Sequence, residues 1–173
     1  VRGEKMGTRA VYVFKDGLED HDRQYCVYSH WDNYPEGAAD SLVNTLDKAW
    51  DLPRYEADEF AASFIAANKT NSGDFRLTHS PEDHGDLEYV YEIFQAKNGQ
   101  MIVRAYGVDF WKDDKKRTEF FYGRMKDFVG KYGADDTKKN WDAKDNSPNK
   151  LLDTSNDPEY KEYVRLKNKF ETV

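Results

Sequence analysis

The chain has a single cysteine, Cys26, among 173 residues, so no internal disulfide can staple it. It also lacks a secretory hydrophobic segment and any apolar run near the roughly 20 residues that a membrane-spanning helix requires. These absences point to a reducing, cytoplasmic setting and away from a membrane. Positive charge is short as well. The 26 Lys and Arg stand against 33 Asp and Glu, a formal net charge of −7 that disfavours general nucleic-acid binding. Acids and bases are mixed along the chain, which also argues against mimicry of nucleic acid by a block of carboxylates. Glycine-rich phosphate loops, metal signatures and nucleophile motifs of recognised spacing are missing, so the sequence implies no cofactor.

What the chain does have is aromatic residues. Hydrophobic residues make up 38% and charged residues 34%, so the 12 Tyr, 10 Phe and 4 Trp must supply much of the buried area. The length suits one domain with a core of its own. Residues 1–6 read as a loose N-terminal extension, 7–133 as an α+β domain, and 134–173 as a polar C-terminal extension.

Arg9–Phe14 alternates β-branched and aromatic residues as a strand should, and Gln24–His30 does the same, across a polar connection holding Asp16-Gly17 and Asp20-His21-Asp22. Ala39, Leu42, Val43, Leu46, Ala49 and Trp50 trace one helical face; Ala57, Phe60, Ala61, Phe64 and Ile65 trace another, with Pro53 suited to its first position. Phe75–His79 is a brief strand. Leu87–Phe94 and Met101–Val108 alternate around Lys97-Asn98-Gly99-Gln100, and Asn-Gly between such runs is a strong hairpin signal. Asp113-Asp114 can cap a third helix with the stripe Phe121, Met125, Phe128, Val129 and Tyr132, ending at Gly133. The expected order is β-β-α-α-β-β-β-α, an antiparallel sheet of about five strands backed by three helices. Residues 134–157 should wrap the surface irregularly, and 158–170 can form a last helix.

The densest polar and aromatic segment is Tyr28-Ser29-His30-Trp31-Asp32-Asn33-Tyr34-Pro35-Glu36-Gly37, at the passage from a strand to a helix. Side chains can converge there, and free backbone N–H groups can hold an anion. One reading is a polar pocket in which Asp32 orients His30, Glu36 accepts protons, the Gly37 backbone approaches an anion and Arg9 adds charge from the neighbouring strand. The other is a tight junction, with Trp31 and Tyr34 as lids on the core, Asp32 or Asn33 capping and Pro35 opening the helix.

His79, Glu82, Asp83, His84 and Asp86 form a second polar group that, with His30 and Asp32, offers ligand types for a divalent metal. Ser80-Pro81-Glu82-Asp83 equally reads as a capped single helical turn. Cys26 and His30 are too far apart along a strand for a catalytic dyad, since four residues span about 13 Å. Lys112, Lys115, Lys116, Arg117, Arg124 and Lys126 interleave with Asp113, Asp114, Glu119 and Asp127, the pattern of a solvated face laced with ion pairs.

Gly7-Thr8-Arg9-Ala10 together with Tyr28-Ser29-His30-Trp31-Asp32-Asn33-Tyr34-Pro35 resembles a group of small bacteriophage and prophage proteins. Members begin Gly-Thr-Arg and soon carry Tyr-x-His-Trp-Asp-Gly-Tyr. The resemblance covers residues 7–46; Asn33 stands where the group has glycine, as a residue tolerated in a left-handed conformation. It implies a viral or prophage source and an accessory role inside the host cell, such as countering a defence, and it provides no mechanism. Thr8, Arg9, His30, Trp31, Asp32, Tyr34 and Glu36 are the expected ligand-binding residues, with no metal ligand assigned and His79 and His84 as candidates for one. The leading expectation is a non-catalytic protein that binds a host protein or a small anionic ligand such as a nucleotide. The alternatives are a metal-dependent phosphoesterase and a virion or assembly component.

Overall fold

The computed structural model describes residues 7–18, 23–109 and 116–144, together with Glu162, Arg165 and Leu166. Chain order is β1 (Ala10–Lys15), β2 (Gln24–Ser29), α1 (Pro35–Thr45), α2 (Ala57–Asn68), β3 (Phe75–Thr78), a 3-10 turn (Pro81–Asp83), β4 (Tyr89–Gln95), β5 (Met101–Val108), β6 (Arg117–Arg124), α3 (Met125–Tyr132) and α4 (Asp135–Lys144). Among the described residues the strands form one six-stranded sheet in the order β3-β2-β1-β4-β5-β6.

The expected α+β class holds, but the sheet is mixed. β1 and β4 run parallel, while the other four pairings are antiparallel. The long β2-α1-α2-β3 excursion fills one edge of the sheet, so the chain re-enters on the far side of β1. Tyr12 and Tyr91 then stack across that parallel pair at 5.1 Å.

Period-two alternation sorts β1 between two apolar clusters. Ala10, Tyr12 and Phe14 face the helices and pack with Phe60, Phe64, Tyr91 and Phe128. Val11 and Val13 join Cys26, Tyr28, Leu87 and Val90 in a smaller cluster on the other face. The rings carry the core as composition requires, and their hydroxyls are paired: Tyr55 donates to the Lys15 carbonyl at 2.8 Å, and Tyr12 to Asn33.

Three local expectations need correction. Residues 117–124 form a strand rather than the start of a helix. Ala105 faces Phe121 and Tyr106 faces Glu119, so Phe120 is an extra residue in a β-bulge. Phe120 and Phe121 consequently both pack on the helix-side core, which hides the strand period. Next, Asp135–Lys144 is helical, not irregular, and it adds Trp141 to the core. Finally, α2 begins at Ala57; Pro53 lies in a turn upstream of it. Its first N–H groups need outside partners, and Asp16 of the β1–β2 loop accepts from Ala57 N at 2.9 Å.

Several readings were met. Gly99 takes a positive φ of 86° in the β4–β5 hairpin, and Ser80 caps the 3-10 turn by accepting from Glu82 N at 3.1 Å. Arg117 pairs with Glu82, and Arg124 with Asp127 at 2.7 Å, as an ion-paired face requires. Lys112, Lys115, the Asp113-Asp114 pair, the Asp20–Asp22 loop and residues 1–6 lie outside the described residues. Of the expected 158–170 helix only Glu162, Arg165 and Leu166 are described, all helical. No described helix is long and apolar enough to cross a membrane.

Candidate functional site

The β1–β2 register aligns Ala10 with Ser29. One step further along this ladder, Arg9 comes beside His30. Beyond it the chain must turn through Trp31–Tyr34 into α1, and the turn is built around Asn33, only 2% exposed. Its amide nitrogen donates to the carbonyls of Thr8 at 2.7 Å, Trp31 at 2.9 Å and Ser29 at 3.0 Å. Its side-chain oxygen accepts from Tyr12 at 2.9 Å, and its backbone carbonyl accepts from Tyr91 at 2.7 Å. Asn33 therefore ties the N-terminal segment, both central tyrosines and the turn into one buried network.

The left-handed residue of the turn is Asp32, at φ 56°, rather than Asn33. Asparagine here is a bonding centre and not a substitute for a flexible glycine. The turn lays the Asp32 carbonyl against Gly37, where a Cβ would come within 1.8 Å of that oxygen. Gly37 thus makes room for the chain's own backbone instead of an approaching anion. The N-cap position of α1 is Tyr34 rather than Asp32 or Asn33, and Pro35 opens the helix.

On the opposite face of β2 a different group gathers around Tyr28. Its hydroxyl donates to Asp86 at 3.2 Å, and Asp86 makes an ionic contact of 3.0 Å with Arg9 Nε. That nitrogen is buried and not aligned for a hydrogen bond, so the attraction is of charge rather than direction. With its proton committed to Asp86, the Tyr28 oxygen can only accept from His30 Nδ1, a long contact of 3.4 Å. The His84 ring stacks on Tyr28 at 4.4 Å and 20°, and the Arg76 guanidinium stands over the same ring at 4.7 Å. His84 Nε2 is fixed in turn by Thr78 Oγ1 at 2.8 Å. Trp31, 39% exposed, meets the His30 ring edge-on at 4.4 Å. Burial, and then the Asp86 carboxylate, push the Tyr28 phenol up, so it remains a donor at neutral pH.

The loop ahead of β3 holds this group in place. Asp74 is buried and accepts from the backbone N–H groups of Thr70, Asn71 and Phe75 and from Lys69. Burial alone would raise its carboxyl, but these donors outweigh it and bring the pKa down to about 2. The Asp74 carbonyl then receives the His30 N–H at 3.0 Å.

The structure brings Arg9, His30 and Trp31 together. Thr8 is buried and offers its carbonyl to Asn33; Tyr34 and Glu36 are exposed on the helix side of the turn, where Tyr34 meets Tyr89 edge-on. Asp86 is the carboxylate that joins Arg9 to Tyr28, and Asp32 is exposed at the turn. Sequence reasoning missed Tyr28, Arg76 and Thr78 as parts of one surface. Alternation along β2 and β3 marks all three for one face, but only the β2–β3 register, Tyr28 to Arg76 and Cys26 to Thr78, brings them together. His84 enters as a ring stacked on Tyr28, while His79 is exposed. No group of three or more His, Cys, Asp or Glu side chains among the described residues is placed to hold a metal ion. Cys26 is buried, and burial followed by Glu82 pushes its thiol up to about 11, which leaves it unreactive at neutral pH.

No protein-family model matches the chain, and neither a curated protein nor a solved structure matches it.

Proposed function

We propose that this chain is a non-catalytic binding protein whose recognition surface is the cationic and aromatic group around Tyr28, and that its ligand is a small anion with a planar ring, such as a nucleotide. The observation that carries this reading is the ring of Tyr28, stacked by His84 and overlain by Arg76, with Arg9 reached through Asp86. Two guanidiniums, Arg9 and Arg76, stand beside the Tyr28 group, Arg9 with Asp86 as its ionic partner. The remaining ring nitrogens of His30 and His84 add polar groups, and the exposed part of Trp31 adds a surface on which a base can stack. Nothing in the group is arranged as a nucleophile with its base. Given the resemblance to phage and prophage proteins, the setting we propose is the infected host cytoplasm, where the same surface is the first candidate for contact with a host protein.

Isothermal titration against nucleotide and cyclic-nucleotide panels, with pull-down from host lysate, tests the proposal. Binding that weakens by about tenfold or more in Arg76→Ala and in His84→Ala is the expected result. Silence in both assays, or binding that neither substitution touches, rejects it.

A further inference from the structure

We propose that residues 79–88, between β3 and β4, form a strap that opens as a unit over the sheet face turned away from the helices, and that the Glu82–Arg117 ion pair is its latch. β4 lies beyond β2 and β1 in the strand order, so the chain leaving β3 must cross both of those strands. His84 stacked on Tyr28, and Asp86 joined to Tyr28 and Arg9, place the crossing on the outer face. The apolar cluster on that face consists of Val11, Val13, Cys26, Tyr28 and Val90 from the strands and Leu87 from the strap; no described helix contributes to it.

Side chains hold the strap down. Among the described residues, no backbone hydrogen bond joins residues 79–87 to a strand: the N–H groups of Asp83 and His84 go to Ser80 and Pro81 within the 3-10 turn, and that of Glu82 to the Ser80 hydroxyl. Pairing with the sheet resumes at Glu88, whose N–H reaches the Arg9 carbonyl at 2.9 Å. The polar ties are His84 to Thr78, Asp86 to Tyr28 and Arg9, and Glu82 to Arg117. The Glu82 side chain is 71% exposed, so water can replace Arg117 at small cost. Buried Pro81 and Leu87 keep the strap closed most of the time. A segment with few backbone bonds to its surroundings and exposed polar ties opens below the free energy of global unfolding.

The chain's single thiol lies beneath it. Cys26 is buried, shares its cluster with Leu87, and is raised by the nearby carboxylates of Glu82 and Asp83 in addition to burial. Opening therefore releases His84 and Asp86 from Tyr28 and uncovers Cys26 in one step. The bearing of that step on recognition rests on the ligand reading above; the opening itself does not.

Labelling of Cys26 with an aromatic disulfide reagent, on the native full chain without ligand, tests the proposal. Wild type should be modified faster than global unfolding permits. Arg117→Ala should label about threefold faster or more, with hydrogen exchange accelerated over residues 79–88, unchanged over α1, and the melting temperature of wild type. Reversing the pair, Glu82→Arg with Arg117→Glu, should bring labelling back towards the wild-type rate. Labelling that only global unfolding admits overturns the proposal, as does an Arg117→Ala variant that labels like wild type. A fast rate that charge reversal does not slow rejects the latch. Failure of every nucleotide to bind rejects the ligand reading alone, because labelling is read in its absence.

Discussion

The turn after β2 has two sides that share a strand and differ in how they are held. Ser29 and Tyr28 point to opposite faces. On the inner side Asn33 engages both its amide atoms and its backbone carbonyl with partners drawn from β1, β4 and the turn. On the outer side Tyr28, His30, His84 and Arg76 make longer, ring-based contacts, and Arg76 is exposed. The buried Asn33, whose amide atoms and carbonyl all find partners, fixes a single geometry, whereas the exposed Arg76 guanidinium and the half-buried His30 and His84 rings around the buried Tyr28 can be rearranged at lower cost. The inner side is where the fold is specified. On the proposed reading the outer side keeps the freedom that recognition would use, so the structural and the functional readings of this segment apply to different residues.

The sharpest way to break the comparison is Asn33→Asp, which keeps the shape but replaces the amide donor with an oxygen facing three carbonyls. We expect a loss of about 4 kcal/mol, read by denaturant unfolding, because a buried charge or an unpaired acceptor takes the place of three hydrogen bonds. A loss under about 1 kcal/mol shows that the network is not the keystone.

Gly37→Ala attacks the same side through space rather than bonding. Its new Cβ collides with the Asp32 carbonyl and must push the turn away, at an expected cost of about 3 kcal/mol. Fluorescence of Trp31 on the displaced turn should shift at the same time. An alanine variant as stable as wild type means that the close approach relaxes freely.

Much of this was legible in the sequence, and the failures have definite causes. The Asn98-Gly99 hairpin, the apolar stripes of α1 and α2 and the Ser80 turn are set by neighbours in the chain, so local pattern suffices. The parallel β1–β4 pairing is a long-range choice that leaves no local trace. β6 was hidden because the bulge at Phe120 breaks its alternation, and two aromatics on one side imitate a helical stripe. At the site, Arg9 and His30 could be joined because their strands form a hairpin. Tyr28 reads as core by its type, and Arg76 and Asp86 reach it only through the tertiary register.

Asp74 stands between the two sides, since its carboxylate builds the loop and its carbonyl anchors His30. Its folded-state pKa is depressed to about 2, so the stabilisation is complete above the ordinary carboxylate range and is lost as pH falls through 4 towards 2. The shift corresponds to about 2 kcal/mol at neutral pH. Asp74→Asn should therefore be destabilised by about that amount at pH 7 and converge on wild type near pH 2, as followed by thermal unfolding across that range. A gap independent of pH assigns the effect to packing instead.

Tyr28→Phe is the mildest change in stability and the most informative about the outer side. It retains the ring on which His84 and Arg76 lie and deletes only the hydroxyl that joins Asp86 to His30. Asp86 still has Arg9, so no charge is stranded, and unfolding free energy should fall by less than about 1 kcal/mol. Ligand affinity should nonetheless drop by about tenfold, because His30 is released from its orientation and Arg9 from its indirect tether to the ring. Calorimetric titration beside thermal unfolding separates the two quantities. A variant that loses stability while binding as wild type would place Tyr28 with Asn33, among the residues that hold the turn rather than those that use it.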